Sequence, residues 1–217
     1  MCLLPDCLPL LCRVLSLHRP DFPDAGDQTP LRLLILTTNP AAIMESPKTR
    51  FNTLFLCTGN SARSILAEYI ANKSASHILE AYSAGSHPKG LPHPMALRVL
   101  KESFAIDTTK ARSKSLDEFE ETEFDFVITV CDKARENCPI WTGRPVIAHW
   151  GSPDPVTFEG TEEERFHHFW QVAQQIKRRI DLFTSLPFES LDQLRLEAAT
   201  REIGLKETYL TPPALQQ

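Results

Sequence analysis

One short segment of the chain has the residues of an anion-binding loop with a nucleophile at its start. A short apolar run ends at Cys57, five residues follow, and Arg63 precedes a stretch, residues 64–73, with apolar side chains at helical spacing. This order predicts a strand, a tight loop and a helix. Free N–H groups at the helix N-terminus and the positive end of its dipole would converge where the strand ends. Arg63 would add a planar fork of donors that grips two oxygens of one tetrahedral anion.

The same positive field should act on the thiol of Cys57. In such positions the pKa of a thiol falls from about 8.5 into the range of about 3.5–7.5, so we expect Cys57 to be a thiolate nucleophile beneath the anion. Gly59 would allow the backbone to approach an anion closely. The alternative is a buried structural cysteine with an arginine nearby by chance, and the strand before it and the helix after it argue against that.

Strands and helices alternate through the rest of this region. Alternation of this kind indicates a parallel sheet covered on both faces. We therefore predict an α/β fold, a three-layer α/β/α domain with a four-stranded parallel sheet. The further strands are expected at residues 79–85, 124–130 and 146–150. One helix should begin after Pro92 and Pro94, and a longer one should run from the capping box at 161–164 to about Phe183. A last short helix is expected from about Leu191 to Ile203, and Gly204 would stop this helix.

In such sheets ligands bind at the carboxyl ends of the strands. The loops after Gly85, Val130 and Trp150 should therefore gather around Cys57. Cys131 follows Val130 directly, so its thiol should open onto the same crevice.

Cys138 follows Cys131 after six intervening residues. Two thiols at this spacing could form a disulfide if the segment between them bends enough to bring their α-carbons within about 7 Å. In a cytosolic protein such a bridge is usually transient and catalytic. The alternatives are a pair of small core residues and a zinc site, although further zinc ligands are missing at any familiar spacing.

A carboxylic acid is predicted in the loop after the fourth strand, where Asp154 is flanked by Pro153 and Pro155. Above a bound oxyanion, Asp154 could protonate the departing oxygen, provided that anionic surroundings raise its pKa enough to keep the proton. An Asp-Pro surface turn is the plain alternative. We assign no catalysis to His149, because a histidine beside Trp150 is typical of a hydrogen-bonded packing residue.

The totals of the chain limit its organisation and its partners. The 217 residues suit one domain with extensions. The net charge of −5 argues against nucleic-acid binding, and the absence of an 18-residue apolar run predicts no membrane span. Six cysteines are too few for a disulfide scaffold, so we expect a cytoplasmic protein. The predicted parts are a poorly ordered extension at 1–50 with Met44 as a candidate true start, a catalytic domain at 51–185, and a short helix with a disordered tail at 186–217.

Four separated segments, 57–64, 82–85, 130–139 and 149–155, resemble those of one family. Together they make the region 52–183 similar to the low-molecular-weight tyrosine phosphatase fold, and in particular to its arsenate reductase branch. The extensions at both ends of the chain lie outside this resemblance.

The resemblance implies a role for each candidate residue. Cys57 would attack arsenate, Ser64 would hydrogen-bond its thiolate, and Asp154 would protonate the leaving hydroxyl. Cys131 would then attack the sulfur of Cys57 and release arsenite, and Cys138 would move the disulfide outward by attacking Cys131. The arsenate oxygens would be held by the loop, which comprises Thr58, Gly59, Asn60, Ser61, Ala62, Arg63 and Ser64.

The resemblance also implies an electron donor and an ion. Thioredoxin is favoured as the donor because Cys138 is present, and glutaredoxin with glutathione is the alternative. No tightly bound cofactor is implied, but some members bind a potassium ion beside the loop. The matching oxygen donors here are Asn60, Glu68, Ser83 and Asp107.

Two other functions are open at this point. A low-molecular-weight protein tyrosine phosphatase would need Cys57, Arg63 and Asp154 but no further thiols, and its acid loop usually carries a tyrosine where Val156 stands. A non-enzymatic sensor or carrier could trap trivalent arsenic with three clustered thiols. A sensor would need an effector or DNA-binding surface, and the acidic body has no basic recognition helix.

Overall fold

The computed structural model of the protein describes residues 50–136, 138–139 and 141–206. The predictions for Met44, for the extension before residue 50 and for a disordered tail after residue 206 lie outside the described residues. Within the described ranges, none of the helices has the length and apolar character to cross a membrane.

Four strands form the sheet, namely β1 (Phe51–Cys57), β2 (Leu79–Gly85), β3 (Phe126–Thr129) and β4 (Val146–His149). All neighbouring pairs are parallel, and the order across the sheet is β2-β1-β3-β4. Cys57 pairs with Gly85, and Leu56 pairs with Thr129, so the carboxyl ends of the strands meet at one edge. The predicted α/β fold with a four-stranded parallel sheet is confirmed.

The α-helices of the described part are α1 (Arg63–Ser74), α2 (Pro94–Phe104), α3 (Asp132–Glu136), α4 (Glu162–Thr184) and α5 (Gln193–Leu205). Helix α2 begins with a proline at its first position, where a missing N–H costs little. Helix α4 begins with the predicted capping box, because Thr161 Oγ1 accepts from Glu164 N and Glu164 Oε2 accepts from Thr161 N. Local sequence signals therefore fix where these two helices begin.

Different side chains cover the two faces of the sheet. Thr53 pairs with Phe126 and Leu54 pairs with Tyr82, and because consecutive strand residues point to opposite faces, Phe126 and Tyr82 lie on opposite sides. Phe126 packs against Phe183 of α4, with ring centroids 4.8 Å apart. Helix α4 thus covers the face that carries Phe126. On the other face, Tyr82 belongs to an aromatic cluster whose further members are Phe119, Phe124 and Trp141.

Helix α5 packs against the edge strand β4. Trp150 Nε1 donates to Thr200 O at 3.0 Å, and Arg179 Nη2 donates to Gly204 O at 3.3 Å. The prediction that Gly204 stops this helix is wrong, because the helix continues to Leu205. The glycine is required for close packing instead, since a Cβ at position 204 would overlap the carbonyl oxygen of His149.

Candidate active site

The loop between β1 and α1 points its N–H groups inward. The carbonyl oxygens of Gly59 and Ser61 accept hydrogen bonds from backbone N–H groups of segment 87–93, at 2.9 and 2.7 Å. Because the N–H and C=O of a trans peptide point in opposite directions, the following N–H groups face the interior of the loop. Asn60 N accordingly donates to Cys57 Sγ at 3.1 Å. The loop is thus a cradle of donors suited to an anion.

Two residues make this tight turn feasible. Asn60 has a φ of +39°, in the left-handed region that asparagine adopts more readily than most residues. Gly85 lies directly beside the loop, where an added Cβ would stand 2.7 Å from Thr58 O and 2.9 Å from Asn60 N. The glycine that ends β2 is therefore required by the packing of the cradle.

The thiol of Cys57 is buried at the base of this cradle, and burial raises its pKa above the ordinary value. The hydrogen bond with Ser64 Oγ at 3.0 Å, the bond from Asn60 N and the charge of Arg63 act in the opposite direction but do not outweigh burial. The prediction of a lowered pKa is therefore contradicted, because removal of the thiolate from water costs more than the surrounding donors return.

A hydrogen-bond network fixes the direction of the Ser64 hydroxyl. Asn60 Nδ2 donates to Ser64 Oγ at 3.0 Å and to Ser83 Oγ at 2.9 Å. Since Ser64 accepts from Asn60, its own hydrogen can be donated to Cys57 Sγ. A Ser64 hydroxyl held in this direction stabilises the Cys57 thiolate more than a freely rotating hydroxyl would.

The cradle opens into a cavity of about 510 Å³. As predicted, the cavity is lined by residues of the loops that follow Gly85, Val130 and Trp150. Cys131 lines it together with Cys57, and the sulfur of Cys131 lies 3.6 Å from Thr58 Oγ1. Three basic lining residues were missed from sequence, although their place after β2 and β3, the two strands that flank β1, could have indicated them: His87, Lys89 and Lys133.

Asp154 lies opposite the cradle and pairs with its arginine. Arg63 Nη2 donates to Asp154 Oδ2 at 2.8 Å, and Arg63 Nη1 donates to Ser152 O at 3.0 Å. Asp154 Oδ1 accepts from Val156 N at 3.1 Å, which fixes the carboxylate at the start of a short turn. Arg63 thus holds the acid loop over the cavity, and a guanidinium has five N–H donors, more than this pairing uses.

Cys131 and Cys138 open onto different cavities. Cys131 is buried beside the cradle, whereas Cys138 is partly buried and lines a second cavity of about 390 Å³ next to β4 and α5. Trp141 Nε1 donates to Cys138 Sγ at 3.4 Å. Five of the six residues between these cysteines form helix α3. Because the two thiols face different cavities, this segment would have to rearrange before the sulfurs could join.

His149 connects β4 to the first residue of α3. Its Nδ1 lies 2.8 Å from Thr129 Oγ1, and its Nε2 lies 3.1 Å from Asp132 Oδ1. Burial lowers the pKa of His149, although the hydrogen bond with Asp132 opposes the shift. His149 is a hydrogen-bonded packing residue, as interpreted from sequence, and it also positions the segment between Cys131 and Cys138.

Three of the four predicted potassium ligands lie together, and a lysine binds among them. Asn60, Ser83 and Glu68 are joined by hydrogen bonds, and Lys114 Nζ lies 2.8 and 2.7 Å from the two Glu68 carboxylate oxygens. The exposed carboxylate of Asp107 instead caps the following turn, accepting from Thr109 N. These residues do not fit a potassium ion, because the Lys114 ammonium already neutralises Glu68. Lys114 was missed because no sequence pattern marks its irregular segment.

The chain belongs to the low molecular weight phosphotyrosine protein phosphatase family, whose model matches residues 52–194. It is 40% identical over 129 residues to an arsenate reductase of Oceanobacillus iheyensis and 37% identical over the same length to an arsenate reductase of Bacillus subtilis. Each match covers 59% of this chain and 91% of the relative. The resemblance to arsenate reductases of the phosphatase fold is therefore confirmed.

Two solved structures show the same fold. YfkJ from Bacillus subtilis has a TM-score of 0.53 at 21% identity, covering 67% of this chain and 100% of that chain. An arsenate reductase in the phosphate-binding state has a TM-score of 0.50 at 23% identity, covering 62% and 97%. At these identities the likeness supports the architecture alone.

Proposed function

We propose that the protein reduces arsenate to arsenite through Cys57, Cys131 and Cys138. The observation that carries this proposal is a second thiol, Cys131, in the same cavity as Cys57. Hydrolysis of a phosphate ester has no use for that thiol, whereas reduction of a thiol-bound oxyanion needs one. The relatives named arsenate reductase support arsenate as the substrate.

In the first step Cys57 Sγ would attack arsenic and form a sulfur–arsenic bond. The cradle N–H groups and Arg63 would hold the oxyanion, and Asp154 would protonate the oxygen that leaves as water. The raised pKa of Cys57 is compatible with this step. Asp154 would take the proton from the Cys57 thiol and pass it to the hydroxyl group of a hydrogen arsenate dianion, so the two hydrogens of the departing water come from the thiol and from the dianion.

In the second step the Cys131 thiolate would attack Cys57 Sγ. The electron pair of the sulfur–arsenic bond passes to arsenic, which is reduced from As(V) to As(III) and leaves as arsenite. A Cys57–Cys131 disulfide forms, so the two sulfurs supply the two electrons. Their shared cavity is what makes this attack geometrically reasonable.

In the third step Cys138 would attack Cys131 Sγ and release the Cys57 thiolate. The segment containing α3 unwinds to bring the two sulfurs together, and the new Cys131–Cys138 disulfide then lies toward the second cavity. A dithiol protein such as thioredoxin would reduce it by the same exchange chemistry, with glutaredoxin and glutathione as the alternative. We propose the cytoplasm as the compartment, because reductants of this kind keep thiols reduced there.

The test follows NADPH oxidation with arsenate, thioredoxin and thioredoxin reductase in the wild type, Cys131→Ser and Cys138→Ser. Both variants should lose turnover. Cys138→Ser should still release one arsenite per protein in a single turnover, because its first disulfide can form, while Cys131→Ser should release none. Cleavage of an aryl phosphate, measured in parallel, should survive in both variants because it needs neither distal thiol.

Two outcomes would overturn the proposal. One is arsenate turnover at the wild-type rate in Cys131→Ser. The other is aryl phosphate cleavage by a wild-type protein that oxidises no NADPH with arsenate, which would assign the chain to phosphate ester hydrolysis.

That hydrolysis is the second candidate function, and the ion pair of Arg63 with Asp154 over the cradle favours it. The same thiol, arginine and acid would form and hydrolyse a phosphocysteine. Val156 lines the cavity near the acid, at the position where the resemblance implies a tyrosine in a phosphatase. Because valine has no aromatic ring, this position cannot stack on the ring of an aryl substrate.

A further inference from the structure

A buried ion pair between Lys114 and Glu68 lies beside the cradle, outside the cavity that is lined by Cys57, Arg63 and Asp154. The Lys114 side chain is 10% exposed and the Glu68 side chain 14% exposed. Lys114 Nζ contacts both Glu68 oxygens, at 2.8 and 2.7 Å. Buried charges are costly unless they are paired, so this pair needs a structural or functional reason.

The pair stands at one end of a continuous hydrogen-bond path to the nucleophile. Ser83 Oγ donates to Glu68 Oε2 at 2.6 Å, and Asn60 Nδ2 donates to Ser83 Oγ. The other Asn60 Nδ2 hydrogen goes to Ser64 Oγ, which is 3.0 Å from Cys57 Sγ. Every bond in this path can be assigned one direction of donation without conflict.

The backbone of Lys114 fixes the same path from a second side. Lys114 N donates to Asn60 Oδ1 at 2.6 Å, which settles the orientation of that amide and turns its Nδ2 toward the two serines. Lys114 O accepts from the N–H of Gly85 at 2.9 Å, and Gly85 is the glycine on which the cradle packs. One residue therefore anchors Asn60 through its main chain and Glu68 through its ammonium.

We infer that Lys114 is a positioning residue, a built-in cation that holds the Glu68 carboxylate in place as the acceptor for Ser83, so that the path from Ser83 through Asn60 and Ser64 points its donors toward Cys57. With the ammonium in place, Glu68 accepts from Ser83, and the polarity of each later bond follows. The site consequently has no requirement for an alkali metal ion. This inference rests on the proposed function only in taking Cys57 as the nucleophile.

Removal of the ammonium has a predictable effect on the thiol. In Lys114→Met the buried Glu68 carboxylate loses its ion-pair partner, so it is no longer held in place as the acceptor for Ser83. Ser83 and Asn60 then lose their fixed direction, and Ser64 donates to the thiolate for less of the time. The double variant Lys114→Met/Glu68→Gln removes both charges and keeps an acceptor for Ser83, so it should recover most of the loss.

The experiment measures iodoacetamide alkylation of Cys57 against pH, by mass spectrometry of its peptide, in the full-length chain. At neutral pH, Lys114→Met should be alkylated about tenfold more slowly, which is the change produced by about 1.4 kcal/mol, with its profile moved to higher pH. The double variant should lie within about threefold of wild type. Lys110→Met, which changes an exposed lysine of the same segment, should match wild type. Alkylation requires no arsenate chemistry, so the result is independent of whether the relay operates.

A second measurement tests the ion directly and uses the wild type, so it remains decisive even if Lys114→Met does not fold. Wild-type alkylation and thermal melting should be the same in potassium chloride and choline chloride at equal ionic strength. Lys114→Asp, which replaces the ammonium by oxygen donors, should melt at a higher temperature in potassium than in choline. Stabilisation of the wild type by potassium, or wild-type alkylation in Lys114→Met, would overturn the inference.

Discussion

Replacement of Ser64 by alanine should slow every reaction of Cys57 that passes through its thiolate. The Ser64 hydroxyl lies 3.0 Å from Cys57 Sγ in a buried environment and is oriented by Asn60 Nδ2. A hydrogen bond to a charged group contributes about 1.5–3 kcal/mol. At about 1.4 kcal/mol for each factor of ten, Ser64→Ala should reduce the thiolate population at neutral pH by roughly 10- to 100-fold.

The sign of the pH dependence follows from the same bond. Burial already raises the pKa of Cys57, and Ser64 is the largest influence opposing that rise. Its removal should move the pH profile of iodoacetamide alkylation further to the alkaline side, with rates that converge at high pH where both proteins carry the thiolate. The burst of aryl phosphate cleavage should fall in parallel at neutral pH.

Ser74→Ala is the matched control, because it makes the same change at the other end of α1, where Ser74 Oγ donates to Ile70 O. It should leave the alkylation profile unchanged. If Ser64→Ala also leaves the profile unchanged, the hydroxyl does not stabilise the thiolate, and our assignment of donors along the network is incorrect.

Two further changes test the acid and the packing of α5. Asp154→Asn should lower the rate of aryl phosphate cleavage by about 10²–10⁴-fold, the usual contribution of a general acid, while Cys57 alkylation stays within a few fold of wild type; an unchanged cleavage rate would remove Asp154 from the mechanism. Gly204→Ala should cost about 1–3 kcal/mol through overpacking against His149 O, lowering the melting temperature by roughly 2–12 °C. Leu194→Ala, at a side chain on α5 that is 79% exposed, is its control, and equal melting of the two variants would contradict the packing argument.

The cradle could be predicted from sequence because its determinants are local. An apolar strand that ends at Cys57, a tight loop and a helix that begins at Arg63 follow one another within residues 51–74, so the pattern can be recognised without knowledge of the rest of the chain. The gathering of distant loops was predictable as well, since parallel strands bring their carboxyl ends to one edge. Asp154 was found in this way, 91 positions from the arginine that it contacts.

The direction of the Cys57 pKa could not be predicted because burial is a property of the assembled fold. The sequence reveals the donors that favour the thiolate, and these donors are present. It does not reveal how completely β1, α1 and the neighbouring loops exclude water from the sulfur. In the structure, Cys57 is only 4% exposed. Burial raises the pKa and the hydrogen bonds lower it, so the direction of the shift depends on the degree of burial, which the sequence does not show.

Asp107 and Lys114 illustrate a second limit. Both lie between α2 and a short turn at Leu116–Phe119, in a segment without the periodicity that would fix its register. The carboxylate of Asp107 was the natural choice for an ion ligand, but the buried position belongs to Lys114, seven residues later. An irregular segment can place any of several residues at a site, and only its tertiary contacts decide which.

The proposed relay depends on a segment that is easy to rearrange without disturbing the sheet. Helix α3 is five residues long, with Ala134 as its buried residue, and helices so short gain little stability from their own hydrogen bonds. Cys131 is instead held by the β3 end beneath it, and His149 ties Asp132 to β4. Unwinding of α3 would therefore sacrifice few packed contacts, while the cradle and Cys57 stay anchored to β1 and β2. In the proposed relay, the two cavities lined by Cys131 and Cys138 would separate oxyanion chemistry from reduction, and the short helix α3 between the two cysteines would move to carry the disulfide from one cavity to the other.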